Sequence, residues 1–539
     1  MRRSPSIGTY GLALAAMLGA CDGGSARTPP SEWWRDRVVY EVFVRSFADS
    51  DGDGVGALAG LTAHLDDLND GDPATVTDLG VEALWLMPIF PSPSYHGYDV
   101  TDYRSVRTQY GALSDLDALV AAAHARGMRV ILDMVLNHSS SSHPWFVDSA
   151  SGPSAARRGW YVWSPTDLGW RRPWDNAVAW YPLNGAYYWG IFTSSMPDLN
   201  LANAQVEQEL VDTMRFWLAR GVDGFRLDAI RHYFESATGV VVDQPESHAF
   251  LKRIRAALQL EYPDVLLAGE AWAPVETQVA YFGDGDEVQL AFSFDVSDAV
   301  RASIVAGSSD ALVNAVARAE TALAGKDRGF EAPFLSNHDQ IRVMRQLGGD
   351  AAAARVAAAT LLALPGTPFV YYGEEIGMQG GSGADDRQKR APMRWNATAP
   401  GYGFTSASFV WCLASCGEGE APGVDVATQR ADTGSLWNLY RRLIGLRRAR
   451  KALSRGEAIR PPVGNGGPGV FALLRTAEGK RVLFVANLAP AAAAAFDVDV
   501  SGTPAVLESE GLAGTPTSGA GKVQVPGLAA RSFAFLSLD

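Results

Sequence analysis

The sequence predicts a (β/α)8 barrel of the TIM type, and three observations predict it. From Trp33 onward, short runs rich in Val, Leu, Ile and Phe alternate with amphipathic helical stretches, the sequence form of βα units around a parallel sheet. Eight such runs can be counted, which is the number a closed barrel requires. Four of them lead into acidic residues or histidines: RVILDMVLNH (Arg129–His138), GVDGFRLDAIRH (Gly221–His232), VLLAGEAW (Val265–Trp272) and FLSNHD (Phe334–Asp339). In a parallel barrel the C-terminal strand ends meet on one face, so residues distant in sequence converge there.

Taken in order, residues 1–21 read as a lipoprotein-type signal peptide. Arg2 and Arg3 precede an apolar stretch, Ile7–Ala20, too short to anchor stably across a bilayer. Leu18-Gly19-Ala20-Cys21 resembles a bacterial lipobox, so the expectation is an exported protein, either a cell-envelope lipoprotein anchored at Cys21 or a secreted one. Residues 22–32 supply the tether. The candidate barrel strands are Val38–Val44, Ala83–Met87, Arg129–Val135, Gly224–Leu227, Val265–Ala268, Gln289–Phe292, Phe330–Leu335 and Pro368–Tyr371. Helical stretches between them include Leu113–Arg126, Val206–Arg220 and His248–Gln259. The first part of the barrel spans 33–138 and the second 202–455. Residues 139–201 break the alternation, and so long an irregular stretch is read as a loop-rich domain inserted after the third strand. After Arg450 the pattern turns to strand-like runs separated by Gly, Pro and Ala (Val470–Leu474, Val482–Asn487, Ala529–Leu536), so 456–539 is expected to form a C-terminal antiparallel β-sandwich.

Composition narrows the function. A net charge of −14 argues against nucleic acid, which clustered Lys and Arg would have to hold. Beyond the N-terminal segment nothing is long and apolar enough to cross a membrane. Fifteen Trp and seventeen Tyr offer faces for sugar rings, although most belong to the core. Cys412 and Cys416, separated by three residues, fit a local disulfide in an oxidising compartment, one that pins a loop rather than the fold.

The acidic residues carry the chemistry. Glycoside hydrolysis needs one carboxylic acid to protonate the leaving oxygen and a second carboxylate at the anomeric carbon. Asp228 ends a strand, and Arg226 two residues earlier faces the same side, where its charge is expected to lower the Asp228 pKa and keep it ionised. Glu270 follows the apolar run VLLAG, a setting that raises a carboxyl pKa towards that of a general acid. Asp339, beside His338, can bond sugar hydroxyls and favour a positively charged transition state. The set points to a glycosidase.

With these motifs the chain resembles the α-amylase superfamily, glycoside hydrolase family thirteen, from Trp33 to Asp539. DMVLNH, GFRLDAIRH, GEAW and FLSNHD are similar to that family's four signature regions, and GYDVTDY and GTPFVYYGEEIG to two more. The resemblance implies Asp228 as nucleophile, Glu270 as acid/base and Asp339 as transition-state stabiliser. It implies Tyr98, Asp99, His138, Arg226, His232, His338 and Arg342 as sugar binders, with Tyr98 stacked under the ring at the cleavage point.

Calcium is the expected cofactor. Asp49, Asp51 and Asp53 place carboxylates at alternate positions, with glycines between and Val55 closing the run, as a calcium loop does. No late Glu follows, so it is not an EF-hand; it resembles the calcium loop of oligo-1,6-glucosidase-like members, with Ala57 where those carry an acidic residue. A solvated Asp/Gly turn is the plain alternative. A second site, implied by the α-amylases, uses Asn137, Asp198 and the backbone of His232.

MPDLN (Met196–Asn200) resembles a group intermediate between oligo-1,6-glucosidases and neopullulanases, whereas Ala229 after the nucleophile resembles α-amylases. The expectation is therefore a monomeric endo-hydrolase of α-1,4-glucans, with transglycosylation as a side reaction. An exo-acting α-glucosidase, an oligo-1,6-glucosidase or neopullulanase-like enzyme, and a maltose isomerase stay open beside it. From another class, a non-catalytic glucan-binding protein stays open as well.

Overall fold

Eight parallel strands occur where the hydrophobic runs place them: β1 Val39–Val42, β2 Ala83–Leu86, β3 Arg129–Met134, β4 Gly224–Leu227, β5 Leu266–Gly269, β6 Leu290–Phe292, β7 Phe330–Ala332 and β8 Phe369–Tyr371. This computed structural model describes residues 31–326, 330–383, 385–399, 401–412, 416 and 420–539. The signal segment, Cys21 and nearly all of the tether lie outside the described residues. No helix among those described is long and apolar enough to cross a membrane.

Neighbouring strands pair in the order β7-β6-β5-β4-β3-β2-β1-β8. Among the described residues, β7 and β8 share only a seam: a parallel bridge between Phe334 and Phe369. Phe369 N donates to Pro333 O at 2.8 Å and Thr367 N to Glu331 O at 2.9 Å. Gly366 permits that approach: it has φ +93°, and a Cβ there would meet the Glu331 carbonyl oxygen at 2.1 Å.

Alternate residues of each strand face the barrel axis. Val39, Ala83, Trp85, Ile131, Leu266, Ala268, Leu290, Phe292, Ala332 and Phe369 fill the lumen as one apolar cluster, so it is a packed core and not a pore. Above them the inward positions turn polar: Glu41 on β1, Asp133 on β3 and Arg226 on β4, each at most 1% exposed. That change of character along the same inward rows marks the catalytic end.

The segment after β3 departs from the barrel pattern as expected. It carries a short helix, Pro144–Ala150, and a three-stranded antiparallel sheet of Trp163–Ser164, Ala186–Trp189 and Trp180–Leu183. The chain ends in two antiparallel sheets, of five and four strands, packed face to face over Val470, Leu483, Val485, Phe496, Val498, Val523, Ala534 and Leu536. Barrel and sandwich belong to one compact unit, residues 32–539. Cys412 and Cys416 are joined as a disulfide.

Candidate active site

Arg226 organises the site. It projects from β4 into the polar end of the lumen, 1% exposed. Its Nη1 donates to Asp133 Oδ1 at 2.8 Å and to Asp228 Oδ1 at 2.7 Å, while Nη2 reaches Glu270 Oε2 at 2.9 Å. One planar guanidinium thus holds the carboxylates at the ends of β4 and β5 side by side, with a third behind them. Beneath it lies the Trp85 ring, 5.3 Å from Cζ. Glu270 Oε2 also accepts from Ala229 N at 3.0 Å. Ala229 has φ +50°, a left-handed conformation that the kink after Asp228 demands and that a β-branched residue would resist.

Asp339 stands on the loop leaving β7 between two cations. His338 Nε2 lies 3.0 Å from its Oδ2, and Arg390 Nη2 donates to its Oδ1 at 2.9 Å. The other ring nitrogen of His338, Nδ1, lies 2.6 Å from Glu41 Oε1. With carboxylates at both nitrogens the imidazole is held as the cation: burial opposes this, but Asp339 and Glu41 outweigh it and push the pKa up to about 10. Tyr98 links the two halves of the site, its hydroxyl 3.0 Å from Asp133 Oδ2 and 2.7 Å from His338 Nε2.

These environments separate the three carboxyls. Burial raises Glu270, against Arg226, and the negative charges of Asp228 and Asp339 raise it further. Asp339 goes the other way: burial would raise it, but His338 and Arg390 hold it far below the ordinary carboxylate range. For Asp228 the expected direction is corrected. Burial is the larger influence and raises its pKa, with Arg226 only partly offsetting it. Asp133, deeper still, is pushed up to about 7 by burial.

The remaining candidates divide. His138 is 1% exposed, beside the Phe192 ring at 5.1 Å, and its Nε2 is buried without a hydrogen-bond partner among the described residues. Burial takes its pKa down to about 4, so it is a neutral donor or acceptor. His232 turns its Nδ1 to the Val241 carbonyl at 3.1 Å. Asp99 is buried and accepts from the hydroxyls of Ser92 and Ser94. Arg342 is placed elsewhere: it is buried between the rings of Tyr371 and Tyr372, 4.5 and 4.7 Å from Cζ, and donates to Tyr372 O at 2.6 Å. Its side chain is 2% exposed. Sequence reasoning missed the arginine that does reach Asp339, Arg390; it also missed Glu41 and Asp133. The latter two carried a signal, being single acids at inward positions of apolar strands. Arg390 sits in a loop after β8 where no period points to it.

Two places have donor sets for a hard cation. Carboxylate oxygens of Asp49, Asp51 and Asp53 lie within 4.8 Å of one another. The loop is preformed by backbone donors, Gly52 N and Gly54 N bonding Asp49 at 2.8 and 2.9 Å and Val55 N bonding Asp53 at 2.7 Å. At the join of barrel and insert, Asp198 is 1% exposed and its Oδ2 has no partner among the described residues. Asn137 lies beside it, and burial drives Asp198 up to about 8. Glu235, which the sequence reading did not single out, adds a second, half-buried carboxyl against Asp198.

The family described as "Alpha amylase, catalytic domain" matches residues 41–456. The chain is 38% identical to alpha-amylase 3 of Dictyoglomus thermophilum over 85% of each chain. It is 34% identical to the trehalose synthase/amylase TreS of Mycobacterium tuberculosis over 87% of this chain and 84% of that one. The solved structure of an alpha-amylase from H. orenii superposes with a TM-score of 0.82 at 35% identity, covering 93% of this chain and 99% of the other. The chain belongs to the α-amylase family of glycoside hydrolases.

Proposed function

We propose that the protein is a retaining endo-hydrolase of α-1,4-glucosidic bonds in starch and maltooligosaccharides. The observation that carries the reading is the Arg226 guanidinium shared by Asp228 and Glu270. Retention requires two carboxyls about 5–5.5 Å apart, one to attack and one to protonate. Arg226 holds Asp228 by Oδ1, leaving Oδ2 to attack the anomeric carbon and form the glycosyl-enzyme ester. Glu270, raised by burial, carries its proton on Oε1 and delivers it to the departing oxygen; it then takes a proton from the water that cleaves the ester. Asp339, kept ionised by His338 and Arg390, faces the positive charge that develops on the ring. His138 Nε2 and Tyr98 are the groups for the hydroxyls of that sugar.

The α-1,4 endo preference rests on Ala229 after the nucleophile, which resembles the α-amylases, and on the similarity to two α-amylases. The similarity to a trehalose synthase/amylase supports a second reading, exo-action or isomerisation on maltose. A product time course on starch and on maltose decides between them. Endo-action gives rapid loss of iodine staining and a ladder of maltooligosaccharides; glucose or trehalose formed faster from maltose overturns it. Asp228→Asn is expected to lower turnover by at least about 10⁴-fold while sparing sugar binding. Unchanged turnover removes Asp228 as the nucleophile, and a native protein without turnover leaves a binding protein.

Calcium belongs to the same reading. Asp49, Asp51 and Asp53 would hold one ion, and Asn137, Asp198 and the His232 carbonyl, with Glu235 added, a second. A bound cation would neutralise the buried carboxyls and tie the inserted segment to the barrel. Chelation should lower the melting temperature by several degrees, and an unmoved melting curve counts against both sites.

A further inference from the structure

Cys412 and Cys416 close a single turn twice, through sulfur and where Cys416 N donates to Cys412 O at 2.8 Å. Both residues are buried. Trp411 stands immediately before that turn, held on several sides. Its backbone N donates to Gly54 O at 3.0 Å, the Phe43 ring meets its indole edge-on at 5.9 Å, and Arg45 Cζ lies over it at 5.0 Å. From Trp411 two routes run to Arg390. Through hydrogen bonds, Trp411 Nε1 donates to Ser46 Oγ at 3.1 Å, and Ser46 Oγ donates to Arg390 O at 2.6 Å. Through rings, Trp411 stacks on Tyr95 at 5.4 Å, 24° from parallel, and Arg390 Cζ lies over Tyr95 at 5.7 Å. Arg390 in turn donates to Asp339 Oδ1 and to the His338 carbonyl.

We infer that Trp411 is a positioning residue for the reaction: fixed by the disulfide turn, it sets Arg390 against Asp339 through Ser46 and Tyr95. This deepens the hydrolase reading and rests on it, since there Asp339 faces the charge that develops on the sugar ring. The need for such support lies in the arginine itself. Its charge rides on a stem of several rotatable bonds, so the 2.9 Å bond to Asp339 keeps one geometry only where stem and backbone are fixed from outside. The Ser46 hydroxyl fixes the backbone at Arg390 O, and the Tyr95 ring supports the guanidinium. Both supports converge on one indole, the first on its Nε1 and the second on its flat face. The chain beside that indole is confined in turn by the closed Cys412–Cys416 turn. The disulfide therefore serves the active site, and the loop it pins is the one that carries Trp411.

The test is a double-mutant cycle read in kcat on maltoheptaose. Trp411→Ala should lower kcat about tenfold with KM little changed, because a misplaced Arg390 weakens support for the transition state and not for bound substrate. In the Arg390→Met background the same change should lower kcat by less than about twofold, since the group it positions is gone. Trp411→Phe keeps a stacked ring and loses the Nε1 donor, so its kcat should fall between the native and Ala values; it carries the cycle if the Ala variant does not fold. Opening the bridge as Cys412→Ser/Cys416→Ser should lower kcat several-fold with Arg390 present and leave it unmoved in Arg390→Met. Equal losses in both backgrounds would mean general damage and overturn the inference. So would an unchanged kcat in the Trp411 or the cysteine variants while the native protein cleaves maltoheptaose, an outcome that leaves the hydrolase reading standing. If the native protein does not cleave maltoheptaose, the hydrolase reading fails and the positioning role with it.

Discussion

Arg390 shows how much one side chain outside the recognisable motifs decides. Its Nη2 holds Asp339 Oδ1 at 2.9 Å and its Nε donates to the His338 carbonyl at 3.0 Å, so it positions both members of the pair. Arg390 and His338 together keep Asp339 ionised against its burial. Arg390→Met removes one of these cations and frees Asp339 Oδ1, so kcat should fall about 10²-fold with KM little changed. Arg390→Lys, which keeps the charge, should restore part of kcat. An unchanged kcat in the Met variant would refute the role. The contrast with Asp228 and Glu270 says what a sequence discloses at this scale. Those two are legible because each closes an apolar strand, so strand geometry alone sends them to one face. Arg390 lies on a loop whose path only tertiary packing settles, and Arg342, a neighbour of the FLSNHD motif, turns inward for the same reason.

At the scale of elements, the helix Ala351–Ala363 illustrates how burial is made tolerable. AAAARVAAATLLA is apolar almost all round, and ten of its thirteen residues are buried, so it is an interior helix. Asp350 caps its start, accepting from Ala353 N at 3.0 Å. Its C-terminal carbonyls, which have no partner within the helix, face protein instead of water. Two buried arginines satisfy them: Arg447 Nη1 donates to Leu362 O at 2.8 Å and Leu364 O at 2.9 Å, and Arg475 Nη1 to Ala363 O at 2.7 Å. Arg475 comes from the sandwich and also reaches Gly456 O at 2.8 Å, so it joins the two sheets to the barrel. Arg475→Met should cost about 2–4 kcal/mol in urea unfolding, because two buried carbonyls lose their donor. An unchanged midpoint would refute it. The apolar helix and the strands of both domains were legible as patterns. The arginines that cap the helix were not, since nothing local distinguishes them from surface charges.

For the whole molecule, the buried ionisable groups set how stability depends on pH. Burial raises Glu331 to about 7, Glu374 to about 8 and Glu375 to about 7, and carboxylate partners raise His338 to about 10. Each folded value exceeds its unfolded one, about 4.3 for Glu and 6.5 for His. The stability each contributes is therefore complete below the unfolded pKa and is lost as pH rises through the folded one. His96, His138 and His143, lowered by burial to about 4, behave oppositely and lose theirs as pH falls from 6.5 to 4. Below pH 6.5 the two sets oppose each other; above 7 only the first acts. Unfolding free energy should therefore fall by about 2–5 kcal/mol between pH 7 and 9. A flat dependence over that interval would contradict these environments.

The joint between the seventh and eighth strands bears on how the molecule is completed. Seven strand pairs close by ladders, while β7 meets β8 through one bridge and the approach that Gly366 allows. Asp339 leaves from β7 and its partner Arg390 follows β8, on opposite banks of that joint. A chain with every other pair zipped but the ring still open would have its nucleophile and acid in place and lack the third carboxylate's support. The ion pair between Arg390 and Asp339 therefore spans the joint from one bank to the other.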